Sequence, residues 1–511
     1  MAVLQRAAAV FCLSFLLSAL PGCAPSAPPP PLDTLVVALE SSPLRLDPRV
    51  GTDQSSWRVH DVIYNGLLKR AQGGEFLPDL AESCTTDDAR SWRVVLRDGI
   101  RFHDGRPLTT EDVAYTFRSL LDPGFVSSKR EPLRIIERIE VVSPRELIFH
   151  LSAPYSSFPL QLILGIVPKG MTSAQADAHP VGTGPYKLVE LRPDDRFVFE
   201  RWDGYFGAKA QHRRLVYRIV PDGTTRSLEL LRGSLHLCIN NIAPDLLPLL
   251  ARNPHLAVSI LPGATYAYLA FNMRDPVLGK KEVRRALALA LDRDALAKGL
   301  WRDTVVKTET LLPPGHWARA ADLPPLTRDL AEARRLLDAA GFPDPGGGRP
   351  RLVLTYKTST DESSVLQATA IAAQWKEVGV EARIRSNDFS VFYADVVKGA
   401  FQLFSLRWQG IVDPDHYHEV FLSSSVPPKG WNRGFFSDPE VDRWIEEGRT
   451  VLPREQRIPL YRNIQQRVLE ELPYVSLYTH NLVAVHLRDL THVDAIPQSG
   501  DFTFLPEVGR R

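Results

Sequence analysis

Residues 266–294, YAYLAFNMRDPVLGKKEVRRALALALDRD, contain the transition around which the rest of the chain is organised. The aromatic and apolar run Tyr266–Phe271 has the length and composition of a β-strand, and residues 272–279 interrupt it with an Asp-Pro pair and a glycine. Apolar residues then recur at three- and four-residue steps from Val283 to Leu291, which predicts an amphipathic helix of a few turns with Arg284 on its polar face. One strand followed by one helix is compatible with many folds, so other segments of the chain are needed to identify the fold.

The composition is typical of a globular protein with more than one domain. A length of 511 residues exceeds one ordinary core and indicates two or three domains. Hydrophobic residues make up 44% and charged residues 24% of the chain, as in soluble proteins. Because 61 Lys and Arg residues balance 60 Asp and Glu residues, neither nucleic acid nor an anionic membrane surface is expected as a partner.

The first 22 residues have the pattern of a secretory leader. Arg6 precedes an apolar segment, residues 7–20, that is short for a membrane span. Residues 20–23, Leu-Pro-Gly-Cys, resemble a lipobox at which the leader is removed and Cys23 is acylated. Pro21 is unusual in such a box, which leaves cleavage without lipidation and a retained anchor open. Residues 23–33 are proline-rich and predict an extended tether, so a lipid-anchored extracytoplasmic protein is expected.

Beyond the tether, predicted strands alternate with predicted helices, which indicates an α/β architecture with a largely parallel sheet. Ser41 follows the first strand, at the carboxyl end where ligands bind in such folds. Thr110 is predicted to cap a helix that has two acidic residues in its first turn. Strands are predicted at 35–40, 91–96, 215–220, 235–239, 352–356 and 380–384, and helices at 59–68, 225–231, 330–340 and 365–377.

Three segments together resemble one protein family. They are LAES at 80–83 followed by RDGIRFHDGRPLTTEDVAYTFRSLLDP at 97–123, PVGTGPY at 180–186, and YLAFN with VRRALALALDRDAL at 268–272 and 283–296. These segments are similar to family 5 of the extracytoplasmic solute-binding proteins, the dipeptide-, oligopeptide- and nickel-type binding subunits of ABC importers. Recognisable matches extend from about residue 35 to about residue 480.

The resemblance implies a two-lobed periplasmic-binding-protein fold, type II-like, with the ligand cleft between the lobes. It places lobe I in residues 34–52, 183–271 and 487–511, the extra small domain of the peptide-binding class in 53–182, and lobe II in 272–486. It also implies capture of a small solute, a peptide by default, by lobe closure. The expected partners are an ABC permease and its ATPase, and a monomer without a cofactor is expected.

The segment LRWQGIVDPDHYHE, residues 406–419, has the richest ligand-binding chemistry. In peptide-binding relatives a similar tryptophan-led loop lines the cleft, and an acidic residue shortly after the tryptophan binds the ligand's α-ammonium group. Gln409, Gly410 and Ile411 follow Trp408 here, which leaves recognition of a peptide amino terminus open. An indole face, an amide and a guanidinium can bind apolar, polar and anionic groups respectively. The candidate ligand-binding residues are Ser41, Tyr268, Asn272, Arg407, Trp408, Gln409, Asp413 and His416.

Other functions and ligands stay open at this stage. Histidines and acids at 413–419 offer metal donors, but their spacing imposes no common geometry, so no resident metal site is predicted. A nickel chelate, a sugar, an opine or haem remain alternative ligands. His103 beside Asp104, or His416, leaves an extracytoplasmic metal-dependent hydrolase open, and an adhesin is the third class. The sequence does not decide whether Cys84 and Cys238 form a disulfide.

Overall fold

The structure, a computed structural model, describes residues 33–511. The predicted leader, the predicted lipidation site Cys23 and the tether up to residue 32 lie outside the described residues. No helix within residues 33–511 is both long enough and apolar enough to cross a membrane.

Most strands join one mixed sheet of eleven strands. In chain order, the strands of the described residues are β1 Thr34–Leu39, β2 Leu68–Arg70, β3 Phe76–Pro78, β4 Ala81–Thr85, β5 Ser91–Leu96, β6 Ile136–Ser143, β7 Glu146–Leu151, β8 Tyr186–Arg192, β9 Arg196–Arg201, β10 Arg214–Ile219, β11 Leu237–Ile239, β12 Leu256–Phe271, β13 Val305–Lys307, β14 Leu352–Ser359, β15 Val380–Asn387, β16 Leu403–Trp408, β17 Tyr474–Leu487, β18 Leu490–Thr491 and β19 Gly509–Arg510. The main sheet runs β15-β14-β16-β12-β17-β11-β1-β10-β9-β8, and β13 pairs with β17.

Helices cover the sheet and connect its strands. In chain order, those of the described residues are α1 Gln54–Ile63, α2 Thr110–Leu121, α3 Ser173–Ala178, α4 Gly223–Arg232, α5 Leu247–Ala251, α6 Lys281–Leu289, α7 Arg293–Trp301, α8 Leu330–Ala339, α9 Glu362–Lys376, α10 Phe389–Val397, α11 His416–Phe421, α12 Pro439–Thr450 and α13 Arg454–Glu471. The sheet is mixed rather than largely parallel, because β12 and β17 run antiparallel to each other through its centre.

The two long strands β12 and β17 contribute to two separate hydrophobic cores. Leu269 of β12 and Leu477 of β17 pack in one core with α6, α7 and α9. Farther along the same pair, Leu482 packs in a second core with β1 and β10. The pairing is irregular between these points, near Gly263, where a Cβ atom would lie 2.2 Å from the His480 carbonyl oxygen. The two strands therefore pass from one hydrophobic core to the other at this irregularity.

A third core belongs to the antiparallel sheet β4-β5-β7-β6 and the helix α2. Phe117 of α2 packs edge-to-face on Phe149 of β7, with 5.0 Å between ring centroids. The helix begins at Thr110, but its N-cap is Thr109 rather than the predicted Thr110, because Thr109 forms a reciprocal capping box with Asp112. The exact residue boundaries of the lobes and of the small domain stay a prediction.

Two further helix predictions need correction. The amphipathic helix predicted after residue 279 is present as α6, Lys281–Leu289, and the Asp292 carboxylate accepts a hydrogen bond from Ala295 N and begins the next helix, α7. Arg284 is buried rather than on a polar face, and it donates to the carbonyl oxygen of Glu471 at the end of α13. The helix predicted over 59–68 ends at Ile63, because Tyr64 is extended and residues 68–70 form β2.

The motif at 180–186 fits closely against the end of α1. Gly184 N donates to the Ile63 carbonyl oxygen at 2.8 Å, and a Cβ atom on Gly182 would lie 2.0 Å from the same oxygen. Glycine is therefore required by close backbone approach at this point. Cys84 and Cys238 are both free thiols in the structure, so they do not form a disulfide with each other.

Candidate functional site

A cavity of about 570 Å³ lies where segments from distant parts of the chain meet. Its residues come from the start of α1, the loop after β11, the loop between β14 and α9, the start of α10, the end of β16 and the middle of β17. The irregular crossing of β12 and β17 borders the same cavity through Thr265 and His480. This is the volume of a small-molecule site, formed by segments that are far apart in the sequence.

Arg407 and Asp361 are the two lining residues that carry a formal charge at neutral pH. Arg407 lies on β16, and its guanidinium stacks 5.0 Å from the centre of the Trp301 ring. Asp361 precedes α9 and caps it by accepting a hydrogen bond from Ser364 N. The histidine of the wall, His480, is neutral, since burial and the nearby Arg407 charge lower its pKa to about 3.

Trp408 lies behind this wall in an aromatic stack. Its ring is parallel to that of Tyr268 at 6.1 Å, and Tyr268 stacks on Tyr474 at 4.3 Å. The Arg433 guanidinium covers Trp408 at 4.5 Å and donates to the Tyr393 hydroxyl at 2.8 Å. Because β16 alternates its side chains, Arg407 borders the cavity while Trp408 packs with the stack on the opposite side of the strand.

His416 joins this stack and does not line the cavity. Its ring packs edge-on against Trp408, with 4.9 Å between ring centroids. Burial lowers its pKa to about 4, so the imidazole is neutral under ordinary conditions. Within the described residues, no group of three His, Cys, Asp or Glu side chains has the geometry to hold a metal ion.

The other three candidates, Asn272, Ser41 and Asp413, do not line the cavity. Asn272 is buried, and its amide nitrogen donates to the carbonyl oxygens of Gly399 and Phe401. Ser41 hydrogen-bonds through its hydroxyl with Ser55 at 3.0 Å. Of the eight candidates, Arg407 and Gln409 line the cavity directly, and Tyr268, Trp408 and His416 support its wall.

Asp413, the remaining candidate, belongs to a buried polar network that also contains Asp415, Tyr155 and Arg449. Its carboxylate accepts a hydrogen bond from Asp415 N at 2.8 Å, and burial raises its pKa to about 6. Asp415 accepts a hydrogen bond from the Tyr155 hydroxyl at 2.7 Å and pairs with Arg449 at 2.8 Å. These contacts connect residue 155 to the segment after Trp408, which gives Asp413 a structural environment.

His103 also makes contacts that stabilise the fold and lies away from the cavity. Its ring nitrogen Nε2 lies 2.9 Å from the Gly184 carbonyl oxygen, and its ring packs edge-on against Trp202. Burial lowers the pKa of His103 to about 4. His103 therefore braces the 180–186 motif and does not line the cavity.

Several lining residues were missed by the sequence analysis, although they include two polar segments that could have been recognised. Asn240 and Asn241 follow β11 with φ of 60° and 54°, a conformation that asparagine tolerates better than most residues. The polar run Ser359–Ser364 follows the carboxyl end of β14, and the rule that selected Ser41 would have selected this run as well. Trp301 and His480 had no comparable signal.

A second cavity, of about 620 Å³, lies between α1, the β2–β3 hairpin and residues 495–507. Asp61 of α1 accepts a hydrogen bond from Phe502 N at 2.7 Å, and the neighbouring Asp501 accepts from Arg70. Burial, together with the nearby Asp501 charge, raises the pKa of Asp61 to about 8. This cavity lacks the segments around Trp408 and is not the candidate solute site.

The raised pKa of Asp61 predicts a specific dependence of stability on pH. Between about pH 4 and pH 8 the folded chain holds a proton that the unfolded chain releases, so the free energy of unfolding falls as pH rises. Asp61→Asn removes this titration and is expected to raise the free energy of unfolding at pH 8 by about 1–3 kcal/mol, with no gain at pH 4. Urea unfolding of both proteins at the two pH values measures the difference. The exposed Asp203→Asn is the control, and an equal gain at both pH values would contradict the assignment.

The matches to known proteins point to one protein family and cover most of the chain. The family model for bacterial extracellular solute-binding proteins, family 5 (middle region), matches residues 75–427. The dipeptide-binding protein of Escherichia coli is 25% identical over 488 residues, covering 89% of this chain and 90% of that protein. The glutathione-binding protein GsiB of Salmonella typhimurium is 28% identical over 487 residues, covering 92% and 93%.

Solved structures share the fold. NikZ from Campylobacter jejuni, in complex with Ni(L-His), has a TM-score of 0.81 at 24% identity and covers 94% of this chain and 100% of that chain. CtaP from Listeria monocytogenes, an ABC transporter substrate-binding protein, has a TM-score of 0.84 at 22% identity and covers 93% and 99%. The mixed α/β fold with two lobes is therefore the one seen in these proteins.

Proposed function

Because this chain belongs to the bacterial extracellular solute-binding proteins of family 5, we propose that it captures a short peptide between its lobes and delivers it to an ABC importer. In this proposal a lipid at Cys23 anchors the chain, which acts as a monomer outside the cytoplasm and catalyses no reaction. The permease and its ATPase are the partners. Relatives that cover nearly the whole chain and are named for dipeptide and glutathione binding support the choice of peptide.

One observation supports this proposal above the others. The 570 Å³ cavity combines two groups of opposite charge, Arg407 and Asp361, with amides such as Asn241 and aromatic rings such as Phe389. A peptide presents charged termini, backbone amides and side chains, and each of these classes has a counterpart in the wall. Since the wall is built from both lobes, a bound solute would stabilise the closed form by its differential affinity for that form.

Calorimetric titration of residues 33–511 with di- to pentapeptides, sugars and nickel chelates tests the proposal. A saturable heat and a raised melting temperature with peptides are expected, because a ligand selective for the folded state stabilises it. Binding of a sugar or a chelate in place of peptides would contradict the choice of solute. Turnover of a peptide would contradict a purely binding role.

The variant Phe389→Ala tests whether the solute binds in this cavity. Phe389 lines the cavity at the start of α10 and is 56% exposed, so its removal should leave the fold intact. Loss of its apolar contact with the solute is expected to weaken binding about 5- to 20-fold. Val391→Ala on the same helix is the control, since Val391 is 53% exposed and does not line the cavity. Equal affinities of the two variants would contradict the placement of the site.

A further inference from the structure

We propose that Asp361, Ser363 and Arg407 form a subsite for an α-amino-acid head group, with the carboxylate on Arg407 and the ammonium on Asp361. The inference rests on the proposed function and specifies which peptides the site selects. A head group of this kind has both charges on one carbon atom, as in a free amino acid or a γ-linked glutamyl peptide. An ordinary linear peptide carries its two charges at opposite ends.

Arg407 has the geometry of an anion receptor. Its Nη2 atom donates to the Ser363 hydroxyl at 3.0 Å, and the face of its guanidinium rests on the Trp301 ring. Among the described residues, no carboxylate lies within 4.0 Å of the guanidinium, in contrast to Arg293 and Arg49, which pair with Glu309 and Asp47. Donors of the fork that face the cavity are thus available to a ligand carboxylate.

Asp361 has the complementary geometry. Within the described residues, its hydrogen bonds from Ser363 Oγ, Ser364 N and Ser364 Oγ all go to Oδ1. The other oxygen, Oδ2, is left for an external donor. Asp361 is exposed where it borders the cavity, so a ligand ammonium can reach it.

The spacing of the two charges selects the kind of ligand. The Ser363 hydroxyl donates to Asp361 Oδ1 at 2.6 Å and accepts from Arg407 Nη2, so a single hydroxyl separates the two charged groups. A carboxylate and an ammonium on one carbon match this short separation. The termini of an extended dipeptide are farther apart, because each residue adds about 3.3–3.6 Å.

The subsite also explains how the chain can bind an amino group although Ile411, and not an acidic residue, lies in the segment after Trp408. Ile411 is buried, does not line the cavity and packs in the core around Tyr268 and Trp408. Asp361 comes from the β14–α9 loop and is the one carboxylate among the lining residues. An ammonium group in the cavity is therefore expected to meet Asp361.

Two isomeric probes test the subsite. γ-Glu-Ala and α-Glu-Ala have the same composition and net charge, but the γ-linked isomer carries its ammonium and a carboxylate on one carbon. Calorimetric titration is expected to show at least about tenfold tighter binding of γ-Glu-Ala, since charge-assisted hydrogen bonds form to both groups. Free glutamate serves as the third probe, and binding of it shows that the head group suffices.

Charge-removing variants complete the experiment. Arg407→Gln and Asp361→Asn are each expected to weaken γ-Glu-Ala binding about 10- to 100-fold and to abolish the preference between the isomers. The controls are Arg383→Gln, an exposed arginine on β15, and Asp388→Asn, which also caps a helix by accepting from Ser390 but does not line the cavity. Both controls are expected to keep wild-type affinity.

The outcomes separate the subsite from the proposed function. Equal affinity for the two isomers, or a preference that survives both cavity variants, would overturn the subsite while peptide binding stands. Binding of linear peptides without either isomer would also overturn it. Absence of any saturable peptide binding would overturn the proposed function itself.

Discussion

Arg49→Met is expected to lower the free energy of unfolding by about 3–5 kcal/mol. The Arg49 and Asp47 side chains form an ion pair at 2.9 Å in which both have no solvent exposure. Arg49 also donates to Ser119 and to the Met171 carbonyl oxygen, and it lies 4.9 Å from the Phe125 ring centre. Removing the guanidinium leaves a carboxylate buried without its counter-charge, which costs far more than loss of an exposed pair.

Urea unfolding measures this effect, and two further variants identify its cause. Addition of Asp47→Asn to Arg49→Met should recover much of the loss, because asparagine removes the buried charge and keeps an acceptor for Arg49 N. Arg335→Met is the control, since Arg335 and Glu332 pair on the surface with 66% and 35% of their side chains exposed. That control should change stability by about 1 kcal/mol or less. If both single arginine variants cost the same, the buried pair is not the cause.

Gly182→Ala is the second change with a large expected effect. The added methyl group would lie 2.0 Å from the Ile63 carbonyl oxygen and 2.8 Å from the Tyr64 ring, so α1 or the 180–186 motif must move. Overpacking against backbone is expected to cost about 3 kcal/mol or more. Because Gln54 at the start of α1 lines the cavity, solute binding should weaken as well.

Gly299→Ala is the matched control for this substitution. Gly299 lies within α7, and a Cβ atom there meets no atom within 4 Å. The control is expected to be neutral or to stabilise the chain by about 0.5–1 kcal/mol, since alanine favours helix. Thermal and urea unfolding compare the two variants. A neutral Gly182→Ala would show that the close approach to α1 is not required.

Local patterns predicted individual elements better than their connections. The strand at Tyr266–Phe271 is present, but β12 begins ten residues earlier, at Leu256, because pairing with β17 extends it. Arg284 occupies a charged position in an amphipathic pattern and is nevertheless buried, because the Glu471 carbonyl oxygen at the end of α13 accepts hydrogen bonds from its Nε and Nη2 atoms. The local secondary-structure propensity of a segment carries no information about these distant partners, the strand β17 and the Glu471 carbonyl group.

The candidate site shows the same division. The segment 406–419 was chosen for its aromatic, polar and charged residues. It predicted Arg407 and Gln409 as ligand-binding residues, and both line the cavity. His416 and Asp413, chosen from that segment for their chemistry, do not line the cavity, because His416 packs against Trp408 and Asp413 accepts a hydrogen bond from Asp415 N. Asp361 lies 46 positions from Arg407 in the sequence, and the parallel pairing of β14 with β16 brings the loop that carries Asp361 close to the end of β16.

The sequence by itself determined the family, the alternation of strands and helices, and the glycines at 180–186, since these depend on local geometry and on contiguous residues. The tertiary structure alone decided where the pairing of β12 with β17 becomes irregular, which residues meet in the 570 Å³ cavity, and which charged residues line it. The physical reason is that the pairing of distant strands and the burial of side chains depend on contacts between segments hundreds of residues apart. Strand β16 is an example, because it directs Arg407 to the cavity and Trp408 to the core on its opposite side. The residues packed on each side of the strand determine whether a side chain can contact a solute.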